Sequence, residues 1–255
     1  MTLVDRIVSF YLTAVRLNGR FKMKIVVLNG TSVKGITYHM KEMFLQYLRT
    51  ENQITEFYPE DMPPFCVGCK NCFLRGEERC PHAETIGPIW DACLAADLLV
   101  FAYPVYALRA PASIKSVLDH FCVHWMVHRP DPKFFKKTAV VITNSVGAPN
   151  GSAQKDVKTS MNWMGVSKIH TCGAGMMGDI FWSNITDKHQ KMLEQKMTRL
   201  AKRVSGTMPR LHKSFKVNAL FSVCKMMHQG VLKSEDRPSL DNQFFLDKGW
   251  IRDKR

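Results

Sequence analysis

Apolar residues gather in five short runs along the chain. KIVVL (24–28), DLLVFAY (97–103) and TAVVIT (138–143) are continuous and rich in β-branched residues. ITEFY (54–58) alternates, and VSKIHT (166–171) is weaker. A continuous apolar strand leaves no face for solvent, so these runs predict a sheet covered on both sides. Between them, apolar positions return at helical spacing over 36–49, 85–95, 112–127 and 151–163. ITDKHQKMLEQKMTRLAKRV (185–204) reads as one more helix, with Thr186 as its N-cap. Strand and helix alternating five times predict an α/β, doubly wound, five-stranded parallel sheet.

The two ends fall outside this alternation. Residues 1–22 hold a short apolar run (7–15) interrupted by Ser9 and Thr13, with Asp5 where a leader would be positive. They are expected to be an amphipathic extension, neither a signal peptide nor a membrane span. Residues 206–255 show no strong period and are expected to pack as a tail on the domain or on a neighbouring subunit. Composition agrees with one large domain, at 45% hydrophobic and 23% charged residues. The net charge of +14 favours anionic ligands. The basic residues are spread rather than clustered, so phosphate-bearing small molecules are expected and nucleic acid is not.

In a doubly wound sheet, ligands bind beyond the carboxyl ends of the strands. The loop after the first run is NGTSVKGIT (29–37), leading into a helix. Thr31, Ser32 and Thr37 offer hydroxyls, Lys34 a charge, and Gly35 and Ile36 stand at the helix start; such a loop suits a phosphate. The loop after the third run, YPVYALRAP (103–111), places Pro104, Val105, Tyr106 and Ala107 where a planar ring could lie. The loop after the fourth, NSVGAPNGS (144–152), brings backbone donors at Asn144, Ser145 and Gly147.

Four of the eight cysteines fall in CVGCKNCFLRGEERCP, at Cys66, Cys69, Cys72 and Cys80. So tight a group reads as a metal or redox site of an intracellular protein rather than a disulfide framework. The spacing C-x2-C-x2-C-x7-C-P is similar to a ferredoxin run with a longer last gap. Zinc and free redox thiols remain open beside an iron–sulfur cluster. Cys93, Cys122, Cys172 and Cys224 are expected to be buried thiols. His120, His124 and His128 are expected to form one polar helical face.

Together, VVLNGTS, the cysteine run, ADLLVFAYPVYALRAPASIKSVLDHF and NSVG resemble the NAD(P)H-dependent FMN reductase family of flavodoxin-like proteins, in its iron–sulfur flavoprotein branch. The resemblance covers residues 23–205 and implies a flavodoxin-like FMN-binding domain with a cysteine-rich loop between strands two and three. It implies FMN with its phosphate at Thr31, Ser32, Lys34, Gly35, Ile36 and Thr37, and its ring between 104–107 and 144–147. It further implies a [4Fe–4S] cluster on the four cysteines, NAD(P)H or a redox protein as electron partner, and a cytoplasmic homo-oligomer, dimer or tetramer. The redox chemistry would belong to the cofactors, so no catalytic side chain is named. A cluster-free quinone or nitro reductase and a zinc-stabilised flavin-binding protein stand as alternatives. Two departures from the family pattern are visible. The phosphate loop lacks the usual arginine and has Ile36 in place of asparagine, and the helix after the ring loop ends Asp119-His120 instead of Asp-Arg.

Overall fold

The computed structural model describes residues 22–49, 52–176, 181–208 and 212–253. Of the extension expected at 1–22, all but Lys22 lies outside the described residues.

The strands are β1 (Lys24–Asn29), β2 (Gln53–Phe57), β3 (Leu98–Pro104), β4 (Thr138–Ser145) and β5 (Lys168–Gly175). They form one parallel sheet in the order β2-β1-β3-β4-β5. The burial of each strand explains its sequence. β1, β3 and β4 lie inside the sheet and are buried almost throughout, as their unbroken apolar runs require. β2 and β5 are the edges, and there burial is partial or alternating.

Period-two alternation splits the core in two. Ile25 and Val27 join one cluster with Met40, Phe44, Leu193 and Met197. Val26 and Leu28 join the other with Ile89, Ile114, Val157 and Met161. Helices α1 (Ile36–Gln46) and α6 (Asp187–Thr207) therefore cover one face. Helices α3 (Ala83–Ala95), α4 (Ala112–His120) and α5 (Gly151–Trp163) cover the other. The short helix α2 (Asn71–Arg75) lies within the cysteine segment between β2 and β3. This is the flavodoxin-like doubly wound arrangement. From β1 the chain winds first to β2 and then back to β3, which opens a crevice at their carboxyl ends.

Two stretches differ from the expectation. The helix expected over 112–127 ends at His120 and continues as a 3-10 turn over Phe121–His124. His120, His124 and His128 therefore do not share a helical face. Residues 206–255 contain helices α7 (Phe215–Leu232) and α8 (Leu240–Asp247), capped by the Ser214 and Ser239 side chains. Their Val217, Phe221, Cys224, Leu232 and Phe245 form a third core with Met126 and Phe135.

Candidate active site

Three loops meet at the carboxyl end of the sheet. The first leaves β1 at Gly30, whose backbone passes so close to β3 that a Cβ there would lie 2.4 Å from Tyr103 Cβ and 2.8 Å from Pro111 Cγ. Only glycine fits that approach. The loop then exposes Ser32, Val33 and Lys34, with Thr31 and Gly35 half-buried. Thr31 Oγ1 accepts from the Val33 amide at 3.1 Å, and Ser32 Oγ donates to Glu60 Oε2 at 2.6 Å. Helix α1 begins at Gly35 with no side chain capping it and no acidic residue in its first turn. Its amides and the positive end of its dipole thus face the loop unopposed, which suits an anion. The Ile36 side chain sits in the core and Thr37 is buried, so what these two positions offer a ligand is mainly backbone N–H.

The second loop turns sharply at Tyr106–Arg109, whose amides and carbonyls exchange bonds of 3.1 and 2.9 Å. Its central residues, Ala107 and Leu108, both adopt left-handed backbone, with φ of +48° and +64°. Arg109 Nε donates to Asp156 Oδ2 at 3.1 Å and the Ala110 amide to the same oxygen at 3.1 Å, which ties the turn to α5. Tyr106 is 54% exposed, a free aromatic face.

The third loop follows β4. The Val105 amide donates to the Asn144 carbonyl at 2.8 Å, joining the second and third loops. Ser145 is buried and spends its hydroxyl on the Ala148 carbonyl at 2.5 Å, so it shapes the loop. Gly147 is exposed at the loop tip. Asn144 Oδ1 is buried with no hydrogen-bond partner among the described residues. A buried acceptor left unpaired is costly, and it marks a position where a ligand donor fits. An anion cradle, an open aromatic face and an unpaired acceptor on adjoining loops fit a phosphorylated planar ring such as FMN.

The cysteine segment follows β2. All four of its thiols are free. Gly68 and Gly76, at φ of +68° and +111°, make the bends that wrap the chain, joined by Lys70 at +60°. Burial pushes the Cys72 thiol up, and the neighbouring Cys80, Cys66 and Cys69 raise it further. Cys66 and Cys69 are exposed, and Cys72 and Cys80 are half-buried. Elsewhere Cys93, Cys172 and Cys224 are buried as expected, whereas Cys122 is half-buried.

The contacts of several residues in this region carry no signal in the sequence. His82 Nδ1 and His120 Nε2 stand 2.9 Å apart, and His120 Nδ1 meets the Ser116 carbonyl at 2.7 Å. His124 stacks on Trp90, and burial pushes its pKa down to about 4. Arg129 is almost fully buried and bonds Glu77, Asp241 and the Cys72 carbonyl.

Comparison with known proteins identifies the family and the fold. Residues 23–177 match the family described as NADPH-dependent FMN reductase. An iron–sulfur flavoprotein of Methanocaldococcus jannaschii is 20% identical over 68% of this chain and 87% of its own. The iron–sulfur flavoprotein of Methanosarcina thermophila is 28% identical over 49% of this chain and 62% of its own. Among solved structures, an NAD(P)H:quinone oxidoreductase from Methanothermobacter marburgensis shares the fold at a TM-score of 0.54, with 16% identity over 75% of this chain and all of that one. With 155 of its residues matched, the chain belongs to the NADPH-dependent FMN reductase family of flavodoxin-like proteins, and it is an FMN-dependent oxidoreductase.

Proposed function

We propose that the three loops hold FMN, with the phosphate at Thr31, Ser32, Lys34 and the amides of Gly35, Ile36 and Thr37. The ring lies between Pro104, Val105, Tyr106 and Ala107 on one side and Asn144, Ser145 and Gly147 on the other. Bound there, FMN supplies two-electron exchange with NAD(P)H and one-electron exchange with a redox partner. The chain's own residues bind and orient. The α1 amides and Lys34 neutralise phosphate charge, Ser32 leaves Glu60 for the phosphate, and Asn144 gains a donor. The unpaired Asn144 Oδ1 carries the reading. Restoring one buried hydrogen bond is worth about 1–2 kcal/mol. Asn144→Ala should therefore weaken FMN binding about tenfold in a flavin-fluorescence titration, as should Thr31→Ala paired with Ser32→Ala. Parental affinity in both would remove these loops from the site.

We further propose that Cys66, Cys69, Cys72 and Cys80 ligate a [4Fe–4S] cluster that supplies single electrons. Anaerobic reconstitution with iron and sulfide should load about four irons per chain. Fewer than one iron, with FMN still bound, would leave a cluster-free reductase.

Exposed apolar residues stand on loops beyond every strand: Val33, Phe65, Val67, Tyr106, Leu108, Val146 and Phe181. So apolar a rim around one end of the sheet supports a homo-oligomer that covers it. Eight free thiols support a reducing, cytoplasmic setting. Among the described residues, no helix is long and apolar enough to cross a membrane.

A further inference from the structure

Beside the four-thiolate set lies a second group of metal-ligating side chains. Cys80, His82 and His120 each offer one ligand atom, and the three atoms lie within 4.8 Å of one another. Two lie close together in the chain, and the third is 38 residues from His82. Cys80 ends the cysteine segment, His82 precedes α3, and His120 is the last residue of α4.

The hydrogen bonds around His120 fix what it presents. Its Nδ1 faces the Ser116 carbonyl at 2.7 Å, and a carbonyl can only accept, so Nδ1 carries the proton. Nε2 is then a bare lone pair aimed at His82 Nδ1, 2.9 Å away. A ring oriented by a backbone carbonyl, with its other nitrogen directed at a shared point, is the usual support of a metal-binding histidine. His120 is only 9% exposed, so this orientation is held by packing.

We propose that Cys80, His82 and His120 form a site for a single thiophilic divalent ion of the zinc class. Tetrahedral coordination with ordinary zinc bond lengths separates two nitrogens by about 3.3 Å and a nitrogen from sulfur by about 3.6 Å. The observed group needs only a slight opening of the histidine pair and a modest approach of Cys80. The fourth position is left to water. On binding, the Cys80 thiol gives up its proton to solvent, and the His82 proton moves from Nδ1 to Nε2. The site shares Cys80 with the four-thiolate set, so one chain holds either the ion or the cluster. That exclusion rests on the cluster reading, whereas the three-residue site does not.

The test uses the full chain with FMN bound and no cluster, stripped with chelator and titrated with Co2+. Tetrahedral Co2+ absorbs at longer wavelength than oxidised flavin, so the readout is independent of activity. The parent should bind one equivalent tightly and release one proton. His82→Ala and His120→Ala should each weaken binding at least tenfold while FMN affinity and circular dichroism stay parental. His82 is only half-buried, so its variant keeps the fold even if the His120 variant does not. Cys66→Ser combined with Cys69→Ser should leave Co2+ binding unchanged. Binding lost in that double variant, or unaffected by His82→Ala, would overturn the site. In a second arm, zinc-loaded parent should resist reconstitution with iron and sulfide. Zinc and four irons bound together would overturn the shared cysteine and leave the first arm standing.

Discussion

Lys41 is a lysine with no exposed side chain, on the helix α1 that follows the first loop. Its Nζ reaches Glu56 at 2.6 Å and Glu42 at 3.0 Å, and Glu56 also accepts from Asn29 at the end of β1. The pair thus pins both ends of the loop. Burial alone would push the Glu56 carboxyl up, but the hydrogen bond and charge of Lys41, with hydrogen bonds from Asn29 and Tyr58, together outweigh it and hold the pKa below the usual range. Burial would likewise lower Lys41, and its bonds to Glu56 and Glu42 carry it above the ordinary lysine value. The depressed carboxylate contributes stability present above its unfolded pKa of about 4.3 and lost as pH falls through the folded value. The raised lysine contributes stability present below about pH 10.4 and lost as pH rises through its folded value. Lys41→Met keeps the stem but strands the Glu56 charge, at a cost of about 3 kcal/mol. Urea unfolding should show that loss constant from about pH 5 to 10 and shrinking below about pH 4. A loss that does not shrink in acid would mean packing, and not the ion pair, accounts for it.

At the level of elements, the ring loop departs most from local preference. A two-residue turn with both central residues left-handed favours Asn-Gly, and here it is Ala107-Leu108. Each such residue costs about 1–2 kcal/mol. Asp156, holding Arg109 and the Ala110 amide, helps keep the turn in place. Retained backbone strain clusters at functional loops, and this is one of the loops proposed to hold FMN. Leu108 is 56% exposed, so Leu108→Asn loses little packing and should raise stability by about 0.5–1 kcal/mol in denaturant unfolding. No gain would mean that the turn is relaxed. The strands and the three loops at their carboxyl ends were legible because continuous apolar runs and Gly, Asn and Pro clusters are local signals. The end of α4 was not, because Phe121 and Val123 continue the apolar pattern past His120 and are buried in the 3-10 turn. Helix α7 does bury positions 217, 221, 224 and 228 at helical spacing, but exposed Val223, Met226, Met227 and Val231 blur the stripe. The His82–His120 and Arg109–Asp156 pairs join residues 38 and 47 apart, where spacing in sequence carries no signal.

Across the whole molecule, one buried arginine links the carboxyl-terminal helices to the cysteine segment. The Arg129 guanidinium bonds Glu77 at 3.1 Å, the Cys72 carbonyl, and Asp241 in the first turn of α8. Asp241 also takes His128 Nδ1 at 2.7 Å, and Phe73 of α2 packs edge-on against the His128 ring. The helices after residue 212 therefore do more than complete a third core. Through Arg129 they hold the backbone carbonyl of Cys72. Asp241→Ala would leave the guanidinium its bond to Glu77 and remove its bond to Asp241, a loss of about 3 kcal/mol for a broken buried pair. The loops from β1, β3 and β4 hang on strands buried in the sheet and make none of these bonds. FMN affinity should stay within about twofold of the parent, since distant and independent sites do not couple. Thermal stability should fall, and reconstituted iron should be lost several-fold faster to a chelator although all four cysteines remain. Iron retained at the parental rate in a destabilised variant would show that the clamp serves the third core alone.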